Sequence, residues 1–307
     1  MNENAMERII TIWPDFAADF ACKAGGCRHT CCRGWEIDVD SDTAQWYRSL
    51  DGPLGDELRR KIRCDDGTYS FRLTADERCP FLRSDGLCRL VLGLGEENLC
   101  EICTMHPRFF ALCGGIELAG FGLACEKSTE LLLAAKELRF HAEGERQSFT
   151  FPALLMFLGY PVPDAWLCPP ARLTRGRMSF LLEQMEATEP IDAVWTRQLA
   201  ALRAAGDALL LSYAQLYAAL GEAVARRLTS YILYRQLDKV PRYGIGALAA
   251  YARGNAAFIY LLAASLQDFP EAVRRWSEQI EYDEENTAHL IEACGKESSS
   301  FLTGNGR

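Results

Sequence analysis

The sequence predicts a mainly α-helical protein with a small α+β, cysteine-rich N-terminal part and a helical C-terminal bundle. Most of the thirteen cysteines lie between Cys22 and Cys125. Beyond residue 178, segments with apolar residues at i, i+3, i+4 and i+7 follow one another, which is typical of packed helices. We therefore expect a cysteine-rich domain over residues 1–140, a helical domain over 141–294 and a loose polar tail over 295–307.

Composition and charge exclude several classes of protein. Hydrophobic residues make up 49% of the 307 residues, which indicates a globular chain with a real core. The net charge is −9 and no basic stripe is visible, so nucleic acid is not an expected partner.

Cellular location follows from what the sequence lacks. No apolar run reaches the ~20 residues of a membrane span, and Met1 to Glu7 has no basic region before an apolar stretch. We expect a cytoplasmic protein with no membrane partner. In a reducing compartment the cysteines are not expected to form a disulfide framework.

The N-terminal part begins with short elements. We expect a strand or turn over 9–20, a brief strand over 36–40 and a strand over 68–73. Ser41 or Asp42 should cap a helix that ends near Leu50, and a second helix should cover 54–63.

Four cysteines occur within eleven residues, at Cys22, Cys27, Cys31 and Cys32. Soft thiolates favour Zn, Cu(I) or iron–sulfur clusters. Adjacent cysteines are awkward ligands for one tetrahedral ion but can bind different metals of a cluster. The spacing therefore favours an iron–sulfur cluster, with Zn as the alternative.

A hairpin is predicted over residues 79–90, with Asp85-Gly86 as its two-residue turn. Cys88 would then face Arg83, and Cys79 would lie about 13 Å further along its strand. Either Pro80 bends the strand so that both cysteines reach one centre, or only one of them is a ligand.

A helix beginning at residues 93–97 should carry Cys100 and Cys103 on one face and end at His106-Pro107. Strand or coil follows from Arg108, then a glycine turn, a strand over 116–123 and a helix over 128–140. The helices of the C-terminal half are expected at 178–187, 193–204, 207–237, 244–266, 270–280 and 284–293.

Several single residues have a structural and a functional interpretation. We interpret Cys168, Cys294, Cys64 and Cys113 as buried apolar thiols, and the stripe Tyr213, Tyr217, Tyr231 and Tyr234 as packing surface. We interpret His29 as a surface imidazole, with metal ligand as the alternative. We interpret His106 as a structural residue, with proton shuttle as the alternative. Arg33 and Arg108 could lower the pKa of nearby thiols, or pair with Asp38 or Asp40.

No dinucleotide-binding glycine motif, P-loop, serine nucleophile elbow or H-E-x-x-H motif is present. The sequence therefore shows no cofactor pocket or catalytic residue directly.

A family resemblance is carried by ordered motifs over about residues 12–135. They are Cys22…Cys27-Arg-His-Thr-Cys31-Cys32-Arg-Gly-Trp35, Cys79-Pro-Phe-Leu…Asp85-Gly-Leu-Cys88, Leu94-Gly-Glu-Glu97…Cys103, Pro107-Arg108 and Leu123-Ala-Cys125. They resemble the flagellin lysine-N-methylase family, among the CxxCC-type zinc- or iron-chelating proteins. The segment from Arg227 to Leu237 is also similar to that family.

The resemblance implies S-adenosylmethionine-dependent methylation of flagellin lysines and a four-iron, four-sulfur cluster. The ligands that it implies are Cys22, Cys27, Cys31, Cys32, Cys79, Cys88, Cys103 and Cys125. Eight exceed what one cluster takes, so some would be structural or serve a second site. The chain departs from the family pattern at His106, Glu126, Cys100 and Cys113.

Two functions are therefore expected. The first is an enzyme that methylates lysines of flagellin or another protein, with Glu96, Glu97, Asp38 and Tyr69 as unranked candidates for the base. The second is a non-enzymatic metal-binding or redox-sensing module that docks a partner protein.

Overall fold

Eight strands and fourteen α-helices form among residues 9–302, which are the residues that this computed structural model describes. The strands are β1 Thr11–Pro14, β2 Asp38–Val39, β3 Ile62–Asp65, β4 Thr68–Phe71, β5 Arg108–Cys113, β6 Ile116–Phe121, β7 Arg139–Ala142 and β8 Ser148–Thr150. The first helices are α1 Ser41–Ser49, α2 Gly52–Lys61, α3 Arg89–Leu94, α4 Glu101–Met105, α5 Glu126–Ala134, α6 Phe151–Phe157 and α7 Arg175–Glu186. The remaining helices are α8 Ala193–Ala205, α9 Asp207–Leu220, α10 Glu222–Tyr234, α11 Val240–Tyr243, α12 Ile245–Leu266, α13 Phe269–Ile280 and α14 Glu284–Leu302. The mainly α prediction is confirmed.

The chain divides into two units. The cysteine-rich unit is Ala21–Phe109, and the helical unit joins Met1–Phe20 to Phe110–Arg307. The boundary expected at residue 140 does not coincide with this division. The reason is that β1 joins β5, β6, β7 and β8 in one sheet, which takes residues 110–150 into the helical unit.

The cysteine-rich unit contains a three-stranded antiparallel sheet in the order β2-β4-β3. Val39 pairs with Tyr69, and Cys64 pairs with Tyr69 from the other side. The predicted strands are present here, but α1 is capped by Asp40 rather than by Ser41 or Asp42, because the Asp40 carboxylate accepts the N–H of Thr43 at 2.9 Å.

The helical unit contains a five-stranded sheet in the order β5-β6-β1-β7-β8, with β1 parallel to β6 and antiparallel to β7. The hydroxyl of Tyr231 donates to the carbonyl of Phe121 at 2.8 Å. The hydroxyl of Tyr234 lies 2.8 Å from the carbonyl oxygen of Ala119. Two members of the predicted tyrosine stripe thus join α10 to the sheet, and all four of its tyrosines are buried, as expected.

Three predicted helix boundaries are wrong. The helix expected to run to Phe140 ends at Ala134, and Phe140 lies in β7, where it packs 4.5 Å from the Tyr234 ring. The helix expected over 207–237 is broken at Gly221, whose φ of +82° favours glycine. The tail expected to be loose from Gly295 is helical to Leu302, and residues 303–307 lie outside the described part.

Helix α12 lies at the centre of the helical unit. By length and composition it could span a membrane, which corrects the expectation that no such segment exists. Within the structure 78% of its apolar window is buried, so neighbouring helices cover it. Such burial is typical of the core helix of a helical bundle.

Candidate metal centre in the cysteine-rich unit

The eight predicted ligands do not all belong to one unit. Cys125 lies in the helical unit, at the position before the first residue of α5. The other seven lie in the cysteine-rich unit: Cys22, Cys27, Cys31, Cys32, Cys79, Cys88 and Cys103.

Five sulfurs share the hydrophobic core of the cysteine-rich unit. Cys79 and Cys100 are buried in it, and Cys32, Cys88 and Cys103 pack against it partly exposed. Four of these five were predicted as ligands, and Cys100 was not. Its spacing of three from Cys103 was the signal that could have added it, because that spacing places two side chains on one helix face.

A short antiparallel pairing brings Cys32 beside Cys79. The N–H of Cys79 donates to the carbonyl of Cys32 at 2.8 Å, and the N–H of Gly34 donates to Glu77 at 3.0 Å. Between these two hydrogen bonds, Arg33 pairs with Arg78 in an antiparallel β-bridge. The adjacent-cysteine motif is thus joined to a segment more than forty residues away in the chain.

The hairpin register predicted for residues 79–90 is wrong by one residue. Cys88 pairs with Leu82 rather than with Arg83, and the N–H of Arg83 donates to Leu87 at 2.9 Å. The chain also turns between Cys79 and Leu82, whose N–H donates to the Cys79 carbonyl at 3.1 Å. The predicted separation of about 13 Å between Cys79 and Cys88 assumed a straight strand. The observed turn corresponds to the other alternative, in which the strand bends near Pro80. Cys88 consequently lies close enough to Cys79 for its charge to raise the Cys79 pKa.

Cys100 and Cys103 lie at the start of α4. The predicted single helix is interrupted, with a short 3₁₀ turn over Glu96–Asn98 before α4. The N–H of Cys103 donates to the Cys100 carbonyl at 3.0 Å, and the two thiols form a hydrogen bond. This bond lowers the pKa of Cys100 and raises that of Cys103.

Backbone amides lie near several of these sulfurs. The N–H of Phe81 favours the thiolate of Cys79, and the N–H of Cys103 favours that of Cys100. Two amides in the first turn of α3 favour the thiolate of Cys88. Amide donors stabilise thiolates and tune metal-bound sulfur. The donor set therefore suits a soft metal or an iron–sulfur cluster in its chemistry.

The thiols of this core differ in acidity. A hydrogen bond from Cys31 outweighs burial and lowers the pKa of Cys32 to about 7. Burial raises the pKa of Cys79 to about 12, and the nearby charges of Cys32, Cys88 and Cys100 act in the same direction. A bound cation would reverse this mutual repulsion, because it favours every thiolate at once.

The sulfurs do not form a finished cage. Among residues 9–302, no three His, Cys, Asp or Glu side chains are already arranged to hold a metal ion. Metal binding would require at least four of the five core sulfurs to draw together.

The first part of the cysteine motif lies at the surface. Cys22 is exposed and accepts the N–H of Ala24 at 3.3 Å, while Cys27 is partly exposed. Between them, Gly25 approaches the backbone of the Asp85-Gly86 turn. A Cβ at Gly25 would lie 2.5 Å from the carbonyl oxygen of Asp85, so this approach requires glycine.

The histidines behave as structural residues. His29 is exposed, as expected. His106 stacks with Trp35 at 6.3 Å between ring centroids, and burial lowers its pKa to about 4. A neutral imidazole at physiological pH agrees with its structural interpretation.

Neither predicted arginine forms an ion pair with Asp40. The Nε of Arg33 donates to the carbonyl of Asp76 at 3.1 Å, and Arg108 donates to that of Thr104 at 3.2 Å. Asp40 instead accepts backbone amides, including that of Glu101 at 2.9 Å. The carboxylate therefore positions the helix that carries Cys103 instead of neutralising a surface cation.

The remaining cysteines were predicted as buried apolar thiols. Cys113, Cys168 and Cys294 are buried, as expected. The Cys168 sulfur lies 3.1 Å from the Tyr217 hydroxyl. Cys64 is exposed on β3, so that prediction is wrong, because an edge strand leaves alternate side chains in solvent.

The candidate bases are spread over the cysteine-rich unit. Glu96 and Glu97 are exposed in the first turn of the 3₁₀ segment, as expected for an acidic pair at a helix start. Asp38 is exposed on β2, and Tyr69 is half-buried on β4. Asp38 pairs with Ser70, next to Tyr69, so these two belong to one small sheet.

Comparisons with known proteins give partial matches. The chain is 28% identical to the flagellar biosynthetic protein FliU of Salmonella muenchen over 156 residues, which is 49% of this chain and 91% of that protein. It is 29% identical over 134 residues to proteins named lysine-N-methylase from Salmonella choleraesuis and Salmonella typhimurium. The match covers 42% of this chain and 33% of each methylase. No protein-family profile and no solved structure matches the chain.

Proposed function

We propose that this protein takes part in S-adenosylmethionine-dependent N-methylation of lysine side chains on flagellin, in the cytoplasm, and that it requires an iron–sulfur cluster. The proposal is supported by the partial similarity to two lysine-N-methylases and a flagellar biosynthetic protein. The cluster is supported by one observation above all, the five cysteine sulfurs in one core.

The ligands for such a cluster would come from the core sulfurs. Cys79 and Cys100 are the most buried, and a nearby backbone amide favours the thiolate of each. We therefore assign the cluster to Cys100, which takes the place of Cys125, and to three of the other four core cysteines. Those four are Cys32, Cys79, Cys88 and Cys103. Zinc is the alternative occupant, because it uses the same thiolates.

The adenosylmethionine would supply an electrophilic methyl group on a sulfonium sulfur. The lysine amine must first lose a proton, since the ammonium has no lone pair. The deprotonated amine then bonds to the methyl carbon while the carbon–sulfur bond breaks, and the second amine proton passes to a base or to water. Asp38, Tyr69, Glu96 and Glu97 remain the unranked candidates for the base that takes the first proton, before the amine attacks.

The direct test is a methylation assay. Protein purified without oxygen is incubated with S-adenosylmethionine and flagellin, and lysine peptides are examined by mass spectrometry for added methyl groups. Methylated lysines that disappear with Cys100→Ser but persist with Cys64→Ser would support the proposal.

The second candidate is a metal-binding or redox-sensing module. It is favoured by the length of the match, because the chain aligns with only a third of each methylase. A loaded centre with no transfer of methyl groups to any flagellin lysine would support this candidate and contradict the first.

A further inference from the structure

The helical unit contains a large cleft, apart from the cysteine core. Its volume is about 1020 Å³, at the upper end of the range found for small-molecule sites. It is formed by the N-terminal end of α7, by α11 and α12, by α14 and by the loop before α7.

Cationic side chains dominate this cleft. Five cationic residues line it against two acidic ones, in a chain whose net charge is −9. The cations are Arg172, Arg177, Arg242, Arg253 and Lys296. The cleft is therefore basic although the whole protein is acidic. A basic cleft of this kind favours anionic ligands.

Most of that charge is not neutralised by the protein. Arg177 pairs with Glu297, and the ammonium of Lys296 lies 3.7 Å from a carboxylate. Among the described residues, Arg172, Arg242 and Arg253 have no carboxylate partner. Three guanidinium groups thus face one cleft without a counter-charge.

Two of the arginines also repel each other. Arg253 is fixed by a 3.1 Å hydrogen bond from its Nε to the carbonyl of Cys168. Burial lowers the pKa of Arg177, and the charge of Arg253 lowers it further. A Cβ at Gly254 would lie 3.3 Å from an Arg177 nitrogen, so the absent side chain makes room for this guanidinium. An anion between the two arginines would relieve their repulsion.

Aromatic and small apolar residues form another part of the lining. The Trp166 ring lies 3.8 Å from where a Cβ of Gly246 would be, so a small residue allows the indole close to α12. Ala247 and Ala250 continue this surface, and Tyr243 flanks it with its ring beneath Arg242 at 4.8 Å. Aromatic faces of this kind bind planar rings by stacking.

We propose that this cleft binds a phosphorylated ligand with a planar ring, of the nucleotide class. Planar guanidinium groups match phosphate oxygens in two-pronged hydrogen bonds, and Trp166 offers a face for the base. S-adenosylmethionine is a poor fit, because it carries a sulfonium and an ammonium against one carboxylate. The site is therefore separate from that of the methyl donor, and it does not depend on the proposed function.

The test is calorimetric titration of the full-length chain with ATP, adenosine and inorganic triphosphate at low ionic strength. We expect ATP to bind, adenosine to bind at least tenfold more weakly, and the ATP affinity to fall as salt rises. The Arg172→Gln/Arg242→Gln variant should lose at least about tenfold in ATP affinity. Both residues are exposed, so folding should not change. Trp166→Ala should lower the affinity for ATP to that for inorganic triphosphate.

The matched control is Arg60→Gln/Arg197→Gln, which removes the same charge from exposed positions on α2 and α8. It should bind ATP as the unaltered protein does. Equal losses in both double variants, no heat of ATP binding at millimolar concentration, equal affinity for adenosine, or displacement of ATP by S-adenosylmethionine would each overturn the proposal.

Discussion

Gly25 and Gly86 lie backbone against backbone, and this contact holds the Cys22–Cys27 segment on the turn that precedes Cys88. A Cβ on Gly86 would lie 2.9 Å from the Cα of Gly25, and Gly86 also has a φ of +79°. Two glycines, more than sixty residues apart in the chain, are thus needed for two cysteine-bearing segments to approach.

Gly25→Ala should therefore separate these segments. Its Cβ would meet a backbone carbonyl, which cannot rotate away, so we expect a loss of about 1–3 kcal/mol in unfolding free energy. The adjacent Gly26→Ala is the control, because the nearest atom to its Cβ, on Lys23, is 3.9 Å away. Urea denaturation of both variants measures the difference, and equal midpoints would contradict the contact.

Asp40 caps two helices with one carboxylate. Oδ1 accepts the N–H of Thr43 at the start of α1, and Oδ2 accepts the N–H of Glu101 at the start of α4. Asp40→Ala should cost about 1–2 kcal/mol of unfolding free energy. The exposed Asp38→Ala removes the same charge nearby and should change stability by less than about 0.5 kcal/mol.

The contribution of Asp40 should also depend on pH. Partial burial opposes its ionisation, but the amides of Glu101 and Thr43 outweigh it, so its pKa is lowered. A lowered carboxyl pKa gives stability that is complete above the unfolded value of about 3.9 and is lost as the pH falls through the folded value. The stability difference between the unaltered protein and Asp40→Ala should be constant from pH 8 to about pH 5 and shrink in more acidic solution. A difference that grows on acidification would show that the cap is misassigned.

Arg227 ties α10 to the end of α5. Its Nε donates to the carbonyl of Leu132 and its Nη2 to that of Leu133, both at 2.8 Å, from a buried position. Arg227→Lys should cost about 2–4 kcal/mol, because a single ammonium cannot reproduce this fork and leaves buried carbonyls without donors.

The neighbouring Arg226→Lys provides the comparison for Arg227. Arg226 forms partly exposed ion pairs with Asp164 and Glu222, and its replacement should cost less than about 1 kcal/mol. Thermal unfolding of the two variants separates a buried carbonyl clamp from a surface charge effect. Similar melting temperatures would contradict the clamp.

Local pattern predicted much of the architecture. The helices of the C-terminal half, the turn at Gly114-Gly115 and the end of α4 before Pro107 follow from periodicity and from glycine and proline chemistry. The break at Gly221 and the strand containing Phe140 were missed. The break at Gly221 depends on one residue with a positive φ inside an otherwise helical pattern. The strand depends on tertiary packing, since Phe140 pairs with β8 and packs on Tyr234.

The five core sulfurs include four that the sequence singled out and one, Cys100, that it did not. Cysteine density pointed to this unit of the chain, but Cys100 looked like an extra thiol because it departs from the family pattern. Its burial beside Cys103 depends on Asp40, which fixes the start of α4 from a strand end sixty residues earlier in the chain. No local spacing rule contains such a contact. The bend at Cys79 was likewise only one of two alternatives, since a strand pattern does not reveal a turn.

The assignment of a metal centre to the core cysteines is tested most directly by iron, zinc and acid-labile sulfide analysis of protein prepared without oxygen. We expect iron and sulfide in near-equal amounts in the unaltered protein and in Cys64→Ser, and their loss in Cys79→Ser and Cys100→Ser. Zinc without sulfide would select the alternative occupant. Protein that is free of all three, with thiols that react fully and independently, would contradict the account.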